Sequence, residues 1–371
     1  MTDSTPKAQS VTSALTTHIQ QHIAQAGGWL GFDRFMHLAL YTPGLGYYAN
    51  DSIKLGSMPS SGSDFVTAPE MSPVFGQLLA VQIAEALQHT DTQEVWEFGA
   101  GSGALAEQIL TALTEQGCPL QRYTIVDVSG SLRARQQERL ARFGDLVHWA
   151  EQLPAQMRGV IVGNEVLDAM PVQLLARIDG VWHERGVAVQ DGDFVWQDRP
   201  TDLRPPLDIE GEHDYVTEIH PQGEAFLRTL GQHLERGAAF FIDYGFGESE
   251  YYHPQRHMGT LVCHRLHQMD EQPLADVGSK DITAHVNFTG SAVAAQDAGF
   301  DILGYTSQGH FLLNCGFAQK AEQLPLTQRP LTGKLVLEHE MGELFKVLGL
   351  VKGVAPWFAL GFAHGDRTHK L

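Results

Sequence analysis

The sequence predicts an α/β fold on a mostly parallel sheet flanked by helices, with a helical N-terminal region and an antiparallel β insertion. Three observations carry this expectation. From residue 95 onward, short apolar runs alternate with stretches of helical spacing, the mark of βαβ units. Polar residues collect where those runs end (Glu97, Asp127, Asn164 and Asp243), as they do at the ligand-binding edge of open α/β sheets. Between 172 and 200 the apolar period drops to two, and Asp-Gly pairs punctuate it.

Taken in order, the first ten residues are polar and are expected to be disordered. Leu15, Ile19, His22, Ile23 and Ala26 recur at helical spacing until Gly27-Gly28 ends the segment, and Phe32, Phe35, Met36, Ala39 and Leu40 continue to a turn at 41–46. Residues 56–69, GSMPSSGSDFVTAP, read as a loop that ends at Glu70, with a helix over 72–88 behind it. Strands at 95–98, 123–129 and 146–150 alternate with helices at 104–116 and 131–143, and a fourth strand at 159–172 has its polar end after Val162. Hairpins fill 172–200, turning at Asp179-Gly180 and Asp191-Gly192. A helix at 223–236 and a strand at 238–246 restore the sheet, and the rest supplies a further helix, edge strands and a closing strand pair.

At 371 residues the chain suffices for one large domain with insertions, or for two. The excess of 44 acidic over 25 basic residues gives −19, which disfavours non-specific attraction to nucleic acid or anionic membrane and suits a cationic partner. Cys118, Cys263 and Cys315 lie too far apart to suggest a disulfide framework or zinc set. No apolar run approaches the ~20 residues of a membrane span. The first 28 residues match neither a secretory signal nor an Arg-rich transit peptide, so a cytoplasmic enzyme is expected.

The functional reading turns on WEFGAGSGAL (96–105). Gly99, Gly101 and Gly103 let the chain turn sharply after a strand and approach a ligand closely, as in dinucleotide sites, although such a turn also serves packing alone. Asp127, one strand on, suits a ribose diol. Glu97 separates two ligands, because a carboxylate at the turn opposes a pyrophosphate and attracts the ammonium and sulfonium of S-adenosylmethionine. Opposite charges ~4 Å apart near a protein surface interact by about 4 kcal/mol before desolvation, enough to favour S-adenosylmethionine over NAD. The alternative for Glu97 is a solvated strand-end residue pointing away.

Asn164, Glu165 and Asp168, in GNEVLDAMPV (163–172), place an amide and two carboxylates at the same edge. A guanidinium fits them best, since its fork of donors pairs bidentately with carboxylates; the alternative is a capped loop in which Asn164 and Asp168 satisfy local backbone groups. His253, His257, His264 and His267 invite a metal, but no carboxylate or cysteine completes a ligand pattern. No metal is therefore expected, and the aromatic loop after 243 reads as a substrate-channel wall.

At these residues the chain resembles the MidA family of class I S-adenosylmethionine-dependent methyltransferases, which includes a mitochondrial protein-arginine methyltransferase. The resemblance runs from about Phe35 over nearly the whole chain and rests on LYTPGLGYYA (40–49), SDFVTAPEMSPVFGQLLA (63–80), EFGAGSGALA (97–106), GNEVLDAMPV, IDYGF (242–246) and the long run from Tyr251 through DITAHVNFT (281–289). It implies a seven-stranded Rossmann-like sheet, with a lid region at 1–90 and a methyltransferase domain at 91–371 that carries a β insertion at about 172–217. Glu97, Gly99, Gly101 and Gly103 would form the methionine-side cofactor turn, and Asp127 the ribose-binding acid. Thr67, Pro69 and Glu70 would belong to a lid over the cofactor, while Asn164, Glu165 and Asp168 would face the acceptor. Ala68 stands where the family commonly has serine, and Asp127 where glutamate is frequent, one methylene shorter.

The expected activity is methyl transfer from S-adenosylmethionine to an arginine nitrogen of a protein partner, with a homo-oligomer left open. A cofactor-binding scaffold, a small-molecule or RNA methyltransferase, and an NAD-dependent oxidoreductase are the alternatives.

Overall fold

The computed structural model describes residues 6–50, 67–127, 130–265 and 268–371. Residues 56–66 of the expected loop, the end of the strand read at 123–129, and His267 lie outside them. The chain divides into two compact units, one of 66–168, 224–247 and 286–371 and one of 1–65, 169–223 and 248–285.

The first unit carries the parallel sheet. Its strands are β1 (Glu94–Phe98), β2 (Arg122–Val126), β3 (Val147–Ala150), β4 (Met157–Asn164), β5 (Leu234–Phe246), β6 (Asp301–Ser307) and β7 (Phe345–Lys352). They lie in the order β3-β2-β1-β4-β5-β7-β6, with the short segment Val286–Asn287 beside the end of β5. Pairing is parallel from β3 to β5, and β7 is antiparallel to both β5 and β6. Strand order reverses between β1 and β4, so the carboxyl ends of these two strands flank the crevice where such sheets bind ligands.

Helices α1 (Val74–Thr90), α2 (Ala104–Glu115) and α3 (Gly130–Leu140) belong to this unit. The apolar alternation is what buries the sheet: Val95, Tyr123, Ile125, Val160, Val162, Phe240 and Ile242 share a core with Leu78, Ile83, Leu105 and Ile109 of the helices. The fourth strand ends at Asn164, shorter than the 159–172 expected, because a turn intervenes before the next strand begins at Gln173.

The second unit is built on an antiparallel sheet. Gln173–Ile178, Val181–Gln190 and Asp193–Pro200 form two successive hairpins, with Tyr215–Ile219 on one side and Leu30–Gly31 against residues 186–187. Both hairpins turn where the sequence placed the Asp-Gly pairs: Asp179 and Gly180 have φ of 48° and 77°, Asp191 and Gly192 of 52° and 93°, the left-handed pair a type I′ turn requires. Against this sheet pack the helices Pro6–Gln25 and Phe32–Tyr41, through Leu15, Ile19, Phe35 and Met36 among others.

Two expectations for this unit need correction. The first helix begins at Pro6, so residues 6–10 are helical where disorder was expected, and proline at a helix start is compatible with its missing N–H. The aromatic segment after 243 is not simply a loop. Val262–Arg265 pairs with Gln268–Asp270 and Asp281–Thr283 in a small antiparallel sheet, while Tyr251 and Tyr252 are buried, donating to Glu218 Oε2 at 2.9 Å and to the Glu218 carbonyl at 3.1 Å. Those two rings are therefore core and not channel wall.

Candidate active site

The glycine turn follows β1 without interruption, and all three glycines have left-handed backbones: φ is 64° at Gly99, 53° at Gly101 and 80° at Gly103, which caps α2. A side chain at any of them would be strained, and a Cβ on Gly99 would also come within 3.1 Å of Val166 Cγ2. The turn thus passes close to the segment after β4 while leaving the first N–H groups of α2 at a helix N-terminus suited to a carboxylate.

Glu97 is not a solvated strand-end residue. It is buried, and its Oε2 accepts the Tyr123 hydroxyl at 2.6 Å. Burial pushes its carboxyl up to about 8, against the lowering effect of the Tyr123 hydrogen bond, with the Asp127 charge adding to the rise. Its negative charge near neutral pH is accordingly conditional on a cation arriving beside it.

Asp127 stands one residue past β2, and its Oδ2 accepts Gln136 Nε2 at 2.8 Å. The same nitrogen lies 2.9 Å from the Gly101 carbonyl, and Trp149 Nε1 donates to Gln136 Oε1 at 2.9 Å. Gln136 is completely buried on α3 and staples the glycine turn to the acid after β2. Sequence reasoning missed it. The polar run RARQQERL reads as a solvated face, and nothing in its spacing sets Gln136 apart from Gln137.

Thr67 precedes the one-turn helix Ala68–Met71, in which Pro69 occupies the first turn. Glu70 Oε1 accepts the Ser102 hydroxyl of the glycine turn, and Arg139 Nη1 reaches Ser102 Oγ at 2.6 Å and Glu70 Oε1 at 3.4 Å. Gln108 Nε2 donates to the Pro69 carbonyl at 2.7 Å. The segment is therefore pinned to the turn by side chains from both sides of it.

After β4 the chain makes a second turn. Glu165 takes a left-handed backbone, φ 54°, unusual for a residue with a side chain. One carboxylate holds the next three residues: Asp243 Oδ2 on β5 accepts the backbone N–H groups of Val166, Leu167 and Asp168 at 3.1, 2.9 and 3.2 Å, while Oδ1 accepts that of Tyr244 at 3.0 Å. Burial raises the Asp243 pKa, and the Asp168 and Glu165 charges add to this, opposed by the backbone donors. Because Asp243 satisfies the turn, Asn164 and Asp168 are not its caps. Asn164 Nδ2 donates to Glu165 Oε1 at 3.1 Å, and Asp168 Oδ2 accepts the Tyr244 hydroxyl. Asn164 Oδ1 is buried without a hydrogen-bond partner among the described residues, the kind of atom that awaits a ligand donor.

The structure therefore brings Glu97, the three glycines, Asp127, Asn164, Glu165 and Asp168 to one sheet edge, with Pro69 and Glu70 on the short helix pinned to the turn and Thr67 just before it. Among the described residues, no group of three or more His, Cys, Asp or Glu side chains is placed to hold a metal ion.

Residues 78–306 match the model of a family described as S-adenosyl-L-methionine-dependent methyltransferases. A crystal structure from Burkholderia thailandensis, bound to S-adenosyl-homocysteine, is 46% identical and superposes with a TM-score of 0.95 over 99% of each chain. Among curated relatives, the mitochondrial protein arginine methyltransferase NDUFAF7 of Danio rerio is 27% identical over 90% of this chain and 85% of its own. The Drosophila melanogaster homologue is 26% identical over 95% and 88%.

Fold and site together define a class I methyltransferase that uses S-adenosylmethionine. More narrowly, the chain belongs to the MidA-like family whose model matches more than half of it.

Proposed function

We propose that this methyltransferase acts on an arginine nitrogen of a protein partner. The observation that carries the reading is the clamped turn after β4. With Asp243 taking up the backbone N–H groups, the Glu165 and Asp168 carboxylates are spared that task and stand three residues apart at the ligand edge. The names of the curated relatives support the same acceptor.

When bound, S-adenosylmethionine supplies an electrophilic methyl group on a sulfonium sulfur. The residues present fit it: Asn164 Oδ1 and Glu97 for the ammonium, the N–H groups at the start of α2 for the carboxylate, and Asp127 for the ribose hydroxyls. Glu165 and Asp168 would orient a guanidinium through paired N–H···O bonds and accept the proton that its nitrogen sheds, with Tyr244 holding Asp168 in place. The gain in rate would come chiefly from positioning and from the low dielectric around these carboxylates.

The test is transfer of labelled methyl from S-adenosylmethionine into a lysate, followed by acid hydrolysis of the labelled species. Label in methylarginine is expected, and Asp168→Asn should lower the transfer rate by roughly 100-fold while calorimetric S-adenosylmethionine affinity is retained. Label in lipid, RNA or a small molecule would remove the arginine assignment.

A further inference from the structure

The antiparallel unit contains a cavity of about 470 Å³ whose lining includes Asp193, Phe194, Trp196, Glu271, Leu274 and Asp276. That volume lies within the ~300–1,000 Å³ of small-ligand pockets. Among the described residues its lining carries three carboxylates and neither lysine nor arginine. Asp276 pairs with Arg265 at 3.2 Å, whereas Asp193 and Glu271 make no ion pair among the described residues.

The walls are fixed before any ligand arrives. Gln20 Nε2 holds the hairpin tip through the Gly192 carbonyl at 2.8 Å, and the buried Lys280 ammonium binds Asp270 at 2.9 Å and the Gln272 carbonyl at 3.0 Å, anchoring the 270–280 loop. Phe32 supports the Trp196 ring at a centroid distance of 5.3 Å, and Phe35 supports Phe194 at 5.3 Å, yet Trp196 remains 38% exposed. This sheet already holds one guanidinium by the same chemistry: Arg185 lies 5.9 Å from the Trp196 ring and forks onto Asp198 at 2.9 and 2.8 Å.

We infer that this cavity binds an arginine side chain of a polypeptide partner, its donors directed to Asp193 and Glu271 and its stem against the part of Trp196 that Arg185 and Phe32 leave exposed. Planar delocalised cations stack on aromatic rings and pair with carboxylates, and an acidic, aromatic, pre-formed pocket suits them better than a compact ammonium. The inference rests on the proposed protein acceptor only for the nature of the partner. It adds a docking point outside the methyl-transfer site, so a segment flanking the modified residue would be gripped separately.

The probe is a fluorescein-labelled peptide, Gly-Arg-Gly-Arg-Gly with blocked ends, titrated by anisotropy against the full chain, beside a twin with citrulline in place of arginine. Saturable binding of the arginine peptide is expected, with at least a tenfold loss for the citrulline twin and for the double variant D193N/E271Q. Both positions are exposed, and calorimetric S-adenosylmethionine binding should be unchanged in that variant. Equal binding of the citrulline peptide, or unaltered binding by the variant, overturns the inference. If the cavity binds the peptide but no methylarginine forms in lysate, the acceptor assignment falls and the docking site stands. If methylarginine forms but the variant binds the peptide unaltered, the acceptor stands and the docking site falls.

Discussion

Two turns at the sheet edge achieve the same end by opposite means. The turn after β1 takes its shape from residues within it, three glycines whose left-handed backbones a side chain would strain. The turn after β4 keeps a side chain at its left-handed position, Glu165, and takes its shape from Asp243, which lies 75 residues beyond Asp168. A loop that must let a ligand approach its backbone gains from losing side chains. A loop that must present carboxylates has to be held from outside.

The largest blow to that contrast would come from Asp243→Ala, which leaves three N–H groups of the second turn without their acceptor. A loss of roughly 3 kcal/mol or more in stability is expected, read by denaturant unfolding, and Asp243→Asn, which keeps one oxygen, should lose less. Next comes Gly101→Val, where a branched residue in a left-handed backbone costs about 1–3 kcal/mol. Calorimetry should therefore show up to about a 100-fold loss of S-adenosylmethionine affinity; wild-type affinity would separate the turn from the cofactor.

A smaller effect belongs to Glu97. The folded protein holds its proton up to about pH 8, whereas the unfolded chain releases it near the ordinary 4.5. Between those values the folded state binds the extra proton, so this group's contribution to stability falls as pH rises across the window. A cation beside Glu97 favours the carboxylate, so affinity for S-adenosylmethionine should rise toward pH 8, by up to roughly tenfold per unit, and level off above it. Glu97→Gln should flatten both slopes; an undiminished slope in the variant would move the titration to another group. The least effect is expected of Glu165→Gly, which relieves the left-handed strain and should change stability by only about 0.5–1 kcal/mol, upward in thermal melts, while methyl transfer falls.

Legibility in the sequence divides along the same line. The glycine turn, the strands that feed it and the two Asp-Gly hairpins are legible because their backbone geometry restricts residue choice locally. Asn164, Glu165 and Asp168 are legible as residues, but their clamp is not, since no local pattern links Asp243 to the N–H groups it serves. Gln136 stayed hidden for a like reason: a buried amide on a helix that looks solvated is explained only by partners on two other elements. Glu97 was read as a charge at an open edge, yet its protonation depends on burial and on Tyr123 in the neighbouring strand. Periodicity likewise marked where the first helix continues but not that it begins at Pro6.

The two units interleave along the chain, each assembled from three separated stretches. On a ribosome, β1 to β4 emerge before the hairpins, but β5, β6 and β7, which complete the sheet, come after them, and the hairpin unit itself waits for residues up to 285. Neither unit can be released by a single cut or expressed as one uninterrupted fragment.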